Sequence, residues 1–160
     1  MIFGDPKRFA IEAKRQQAVE GKWLFGFVWF VIDEISVGNF DEVTLLDATS
    51  STFSSILRRT YPRQADRLVL LDAVDLITFA KKGFDINSYH PSGLYDEAYK
   101  YVIAPNGDPA FDGWLVLFVQ GADYDRVIWH QASSYGQAFL NKGECYSVLE
   151  SFIAWIKTLS

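Results

Sequence analysis

Trp23-Leu24-Phe25-Gly26-Phe27-Val28-Trp29-Phe30-Val31-Ile32 is the stretch that decides the fold. Side chains along a strand alternate between two faces. Here both alternations are apolar: Trp23, Phe25, Phe27, Trp29 and Val31 on one, Leu24, Val28, Phe30 and Ile32 on the other. A strand apolar on both faces belongs inside a sheet that is covered on both sides. Gly26 leaves a gap in the second face, where a neighbouring backbone or ring is expected to press close. The stripe from Trp23 to Trp29 then reads as the floor on which helices pack. A spanning helix needs about 20 apolar residues, and this longest apolar run has ten.

Outward from that strand, 9–14 reads as its N-terminal partner, with a polar turn over 15–21. Val37-Gly38-Asn39 is a turn signal, and 42–46 reads as the next strand of an antiparallel meander. Thr49-Ser50-Ser51-Thr52 offers N-caps for a short helix through about Arg59, limited by Pro62. A helix is predicted over 72–82, with Lys81 and Lys82 in its last turn and Gly83 at C′; 68–71 is open between helix and strand. A loop is expected over 84–96. Alternating Tyr99, Tyr101 and Ile103 predict a strand over 98–104. Strands over 114–120 and 126–131 pair across Gly121-Ala122-Asp123. After a turn at 133–136 comes a short strand over 137–140. The chain closes with an amphipathic helix over 144–158, whose stripe is Cys145, Val148, Leu149, Phe152, Ile156 and Leu159. The expectation is one α+β domain: a mostly antiparallel sheet of six or seven strands packed by two or three helices.

Composition narrows the function classes. At 160 residues and 49% hydrophobic, the chain can bury a substantial core. A lone cysteine, Cys145, rules out an intrachain disulfide and a Cys-based zinc site, and suits a reducing compartment. Charged residues interrupt the first dozen positions before a secretory apolar core develops, so a soluble, cytoplasmic protein is expected. Net charge is −5, which disfavours nucleic acid. Asp33, Glu34, Asp41, Glu42 and Asp47 form an acidic stretch without Lys or Arg; Asp108, Asp112, Asp123 and Asp125 form another, relieved by Arg126; Arg58, Arg59, Arg63 and Arg67 make one basic island. Opposite fields speed encounter, so a basic protein is a fitting partner.

The opening Ile2-Phe3-Gly4-Asp5-Pro6, followed by Phe9-Ala10-Ile11, resembles the start of the immunity protein 42 family of bacterial polymorphic-toxin systems. Pro6 and Gly4 also have a local reading, as a bend feeding an edge strand. Length, the Trp-rich strand and the closing strand, turn and helix after Gln137 agree with the resemblance; it does not extend over about 50–112. The resemblance implies a protein that binds and silences one cognate toxin domain, with no catalytic residues, no cofactor and no metal. Carboxylates at Asp33, Glu34, Asp41, Glu42, Asp123 and Asp125 are the candidate partner-binding residues, because they would oppose basic groups on a nuclease-like toxin.

Chemistry read from the residues alone offers no rival signature: no phosphate loop, no nucleophile elbow, no His-Glu-x-x-His. Cys145 lies on an apolar helix stripe and reads as a core thiol. His90 and His130 lack a third ligand in register. Asp72 and Asp75 share a helix face that reads as solvated. Two alternatives stay open: a small-molecule-binding domain, even a hydrolase, using the aromatic face with His90 or His130, and an adaptor subunit of a bacterial assembly.

Overall fold

The computed structural model describes residues 1–16, 23–59, 65–84 and 94–159. Strands β1 (Ile2–Asp5), β2 (Phe9–Arg15), β3 (Phe25–Ile32) and β4 (Ile35–Val37) form an antiparallel sheet in that order, and β5 (Thr44–Leu45) also pairs with β3. Helix α1 (Leu46–Arg58) follows, then α2 (Asp66–Val69), α3 (Ala73–Phe84), α4 (Leu94–Tyr99) and a 3-10 turn at Pro109–Phe111. Strands β6 (Leu115–Gln120), β7 (Asp125–Gln131) and β8 (Ser134–Leu140) make a second antiparallel sheet, and α5 (Glu144–Lys157) ends the described chain. The class is α+β as expected, but the strands divide between two sheets.

The division follows from two faces of burial. On β6 and β7, Val116, Phe118, Val127 and Trp129 join the main core, whereas Leu117, Val119 and Ile128 pack under α2 and α3. The second sheet is therefore a middle layer. The main core gathers the inner face of the first sheet, α1 and α5. Phe30 sits at its centre, with ring centroids 4.7 Å from Phe111, 5.4 Å from Phe9 and 5.8 Å from Phe53. Such ring pairs contribute about 0.5–1.5 kcal/mol each beyond burial. Cys145 is fully buried in this core.

The polarity of β3 is the reverse of the sequence expectation. Leu24, Val28, Phe30 and Ile32 face the helices, while the aromatic stripe faces outward: Trp23 is 64% and Phe25 44% exposed. The gap at Gly26 explains the choice. A Cβ there would lie 2.7 Å from Leu46 Cδ1 and collide with the carbonyl oxygen of Lys14, so only the glycine-bearing face admits α1 this closely. Trp29 and Val31 are nevertheless buried, in a small outer cluster with Ala10. The Lys14 ammonium lies 5.1 Å from the Trp29 ring and Phe40 packs edge-on at 6.3 Å.

Other local differences have physical causes. β1 pairs with β2 across the Pro6 bend, so the opening is itself a strand. Helix α1 begins at Leu46 without a side-chain cap, because Thr49 and Ser50 are buried inside it. The undecided 68–71 stretch contributes to the short helix α2, and α3 runs through Gly83. Asp72 accepts from the Val74 N–H at 3.2 Å, a capping role in place of a pair with Asp75. The strand expected over 98–104 is a correction: α4 reaches Tyr99, and only the following residues extend, with Phe118 N donating to Tyr101 O and Ile103 N donating to Val116 O. Three alternating residues are too few to separate a strand from a helix end. In the β7–β8 hairpin the strand includes Ser134–Gly136, because bare Gly136 lets the Trp129 ring lie against it. Pro62, Arg63, His90, most of the 84–96 loop and the turn before Trp23 lie outside the described residues.

The two-residue turn between β3 and β4 places Asp33 at φ 51° and Glu34 at φ 65°. Both are left-handed, as a type I′ turn demands, and Asn-Gly is the pair that suits it. Aspartate and glutamate carry a steric cost there. The double change Asp33→Asn/Glu34→Gly is therefore expected to stabilise the fold by about 1 kcal/mol, read as a rise in thermal midpoint. A fall would show that these side chains hold the turn in a way the backbone does not reveal.

Candidate functional site

The carboxylates singled out from the sequence fall at two ends of the molecule. Asp33 and Glu34 sit on the β3–β4 turn, whose amides donate to the Arg8 and Pro6 carbonyls. Arg8 in turn bridges Asp5 at 3.4 Å and Glu144 at 3.2 Å. Asp123 is exposed at the β6–β7 turn, beside the Gly121 N–H···O=C Tyr124 bond. Cations are interleaved with this acidic end.

Asp125 is a correction. It is fully buried, accepts from Gly143 N at 2.9 Å and pairs with Lys142 at 3.3 Å. It pins the end of β8 and the start of α5 to β7, and presents nothing to a partner. Hairpin position in the sequence does not distinguish its inward side chain from exposed Asp123.

Asp41 and Glu42 lie at the other end, in the loop from β4 to β5. That loop is laced to the loop before β6 by Asn39. Its backbone N–H donates to Ala110 O at 2.6 Å; its side-chain amide donates to Pro109 O at 2.8 Å and Asp112 O at 3.2 Å; its Oδ1 accepts from Trp114 Nε1 at 3.1 Å. Asp108 anchors the same loop from within. Only 8% exposed, it accepts from Thr49 Oγ1 at 2.6 Å, Thr44 Oγ1 at 2.8 Å and Ala110 N at 3.0 Å. With its oxygens occupied, Asp108 is a structural carboxylate. The sequence marks Asn39 as a turn residue and Thr49 as a helix cap, not as partners of the 105–113 loop, and leaves Thr44 unmarked; within that loop the local signal is Asp108-Pro109, an N-cap followed by proline.

The anchored loop is a ridge between two clefts. One, about 540 Å³, is walled by Phe84, Tyr99, Phe111 and Trp114, with Lys81 and His130 among its polar groups. The other, about 310 Å³, runs along Val43, Thr49, Thr52 and the ridge itself. In the first cleft Lys81 Nζ lies 3.0 Å from His130 Nε2. An ammonium only donates, so this ring nitrogen is the acceptor. Burial pushes His130 below the ordinary imidazole value, Lys81 lowers it further, and the backbone hydrogen bond at Ala132 opposes both. The pair has no nucleophile beside it among the cleft residues described. Arg59 of the basic island is spent on Tyr99, stacked 4.6 Å from its ring. Among the described residues no cluster of three His, Cys, Asp or Glu side chains has metal-binding geometry, and no helix is long and apolar enough to cross a membrane.

The profile of the family described as immunity protein 42 matches residues 1–155. No curated protein matches the chain. Among solved structures, CdiI from Burkholderia dolosa AUO158 superposes with a TM-score of 0.74 at 16% identity, over 96% of this chain and 99% of that one. At that identity the likeness is one of fold.

Proposed function

Because the chain belongs to the immunity protein 42 family, we propose that it binds one cognate toxin domain in the bacterial cytoplasm and silences it by stoichiometric occlusion, without turnover. The observation that carries this reading is the family match over nearly the whole chain. The likeness in fold to CdiI supports it, and so does the interior. The lone thiol is sealed in the core, and His130 is committed to Lys81 and the backbone at Ala132. Exposed carboxylates at Asp33, Glu34, Asp41, Glu42 and Asp123 give the surface an acidic field, suited to steer a basic partner.

Co-expression with the toxin domain encoded by the neighbouring gene is the test. Cells carrying both genes should grow, cells carrying the toxin gene alone should not, and a complex should survive purification. Association should slow steeply with added salt if the acidic field steers it. Growth arrest in the presence of the intact chain would refute the reading. The 540 Å³ ring-lined cleft favours a second reading, a small-molecule site; a ligand retained by the native protein in mass spectrometry would support it.

A further inference from the structure

We infer that the toxin docks on the end of the molecule built by the Phe40–Val43 loop and the Pro105–Gly113 ridge, and that the toxin surface it meets there is basic. This rests on the immunity reading and adds to it the place and the chemistry of contact.

Three observations single out this end. First, it is preorganised. Asn39 fixes the two loops to one another through backbone and side chain, and Asp108 fixes the ridge to Thr44 and Thr49. Loops already held in one geometry lose little entropy on binding. Second, it has relief and apolar anchors. Phe40 is 54% and Val43 41% exposed, and the ridge separates two clefts of about 540 and 310 Å³ into which a partner's side chains can enter. Binding energy concentrates where such anchors meet concavities. Third, it presents carboxylates that are held by no ion pair. Asp41, Glu42 and Asp112 are exposed and make no ion pair among the described residues. At the opposite end Asp33, Glu34 and Asp123 are likewise in no ion pair among the described residues, but Arg8 and Lys142 lie near them, paired with Asp5, Glu144 and Asp125. Among the described residues the cations of this face flank the carboxylates: Lys81 lies in the larger cleft against His130, Arg59 stacks on Tyr99, and Lys14 lies over Trp29 beside Phe40, so the partner's cations meet Asp41, Glu42 and Asp112 on the loop and the ridge.

The test compares two charge reversals of equal size, Asp41→Lys/Glu42→Lys and Asp33→Lys/Glu34→Lys, in the full chain against the purified toxin domain of the neighbouring gene. Thermal melts establish that both variants fold. Both reduce the long-range field equally, so both slow association. Only the pair in contact should also speed dissociation: at least 30-fold for Asp41→Lys/Glu42→Lys and under 3-fold for the other. Lys81→Glu should quicken association. Amide exchange in the complex should show new protection over 39–43 and 106–114. Equal dissociation rates for the two reversals, a larger effect at Asp33 and Glu34, or protection confined to the Arg8 and Lys142 end would overturn the assignment while leaving the immunity reading intact. Failure of the unaltered chain to bind would overturn the immunity reading, and this inference with it.

Discussion

Replacing Gly26 with valine is expected to abolish folding. The position lies on the inner face of β3, opposite Arg15 of β2. A Cβ there overlaps the Lys14 carbonyl oxygen and comes 2.7 Å from Leu46 Cδ1. Leu46 is fully buried at the first turn of α1, and the Lys14 carbonyl belongs to a ladder that cannot shift without breaking the β2–β3 register. Overpacking against movable side chains costs about 1–3 kcal/mol. Against backbone and a buried helix start together, the cost should exceed about 4 kcal/mol, most of the stability of an ordinary domain. Gly26→Ala should already cost about 3 kcal/mol. Adding Leu46→Ala should not rescue it, because the backbone contact remains. Circular dichroism during urea unfolding reads all three. If Gly26→Val melts close to the unaltered protein, the packing of α1 on the first sheet is not as described.

Arg126→Met is the second large effect. Arg126 is only 4% exposed and makes no ion pair among the described residues. Its Nη1 donates to Val69 O at 3.0 Å and Leu71 O at 2.5 Å, its Nε donates to Gln137 Oε1 at 3.0 Å, and its guanidinium lies 5.5 Å from the Phe139 ring. The charge thus closes the C-terminal end of α2, where carbonyls are left without intrahelical donors, and clamps it to β7 and β8. Burial lowers the Arg126 pKa from the usual arginine value, with Tyr124 and then Asp72 opposing. Methionine keeps most of the volume but strands three acceptors. Charge-assisted bonds count for about 1.5–3 kcal/mol each, offset in part by relieved desolvation. A net loss of about 3 kcal/mol follows. The loss should show as a lower denaturation midpoint together with faster amide exchange over 66–71. An unchanged midpoint would mean that the three acceptors find water without cost.

The elements that the sequence predicts well are those whose cause is local. The apolar run of β3, the β6–β7 pair and the stripe of α5 are each legible from their own residues as strand, hairpin and helix, and the structure has those elements there, with the two faces of β3 exchanged. What escaped was decided by partners far along the chain. The outward turn of Trp23 and Phe25 depends on Leu46 seeking the bare face at Gly26. The split into two sheets depends on the second sheet's second face finding α2 and α3. The candidate site shows the same limit. A run of carboxylates is visible in sequence, but Asp125 turns inward to Lys142 and Gly143 while Asp123, two residues away, stays out. Asn39, Thr44 and Thr49 matter only because residues 59–75 positions later come back to meet them.

On the function proposed for it, this protein acts by covering another protein and transforms nothing. Titrating it into a fixed amount of the cognate toxin domain, well above the dissociation constant, measures that directly. Toxin activity should fall linearly to a sharp end point at one immunity protein per toxin, and dissociating the complex should return active, chemically unaltered toxin. Silencing of many toxin molecules by one copy, or recovery of a toxin altered in mass, would contradict it.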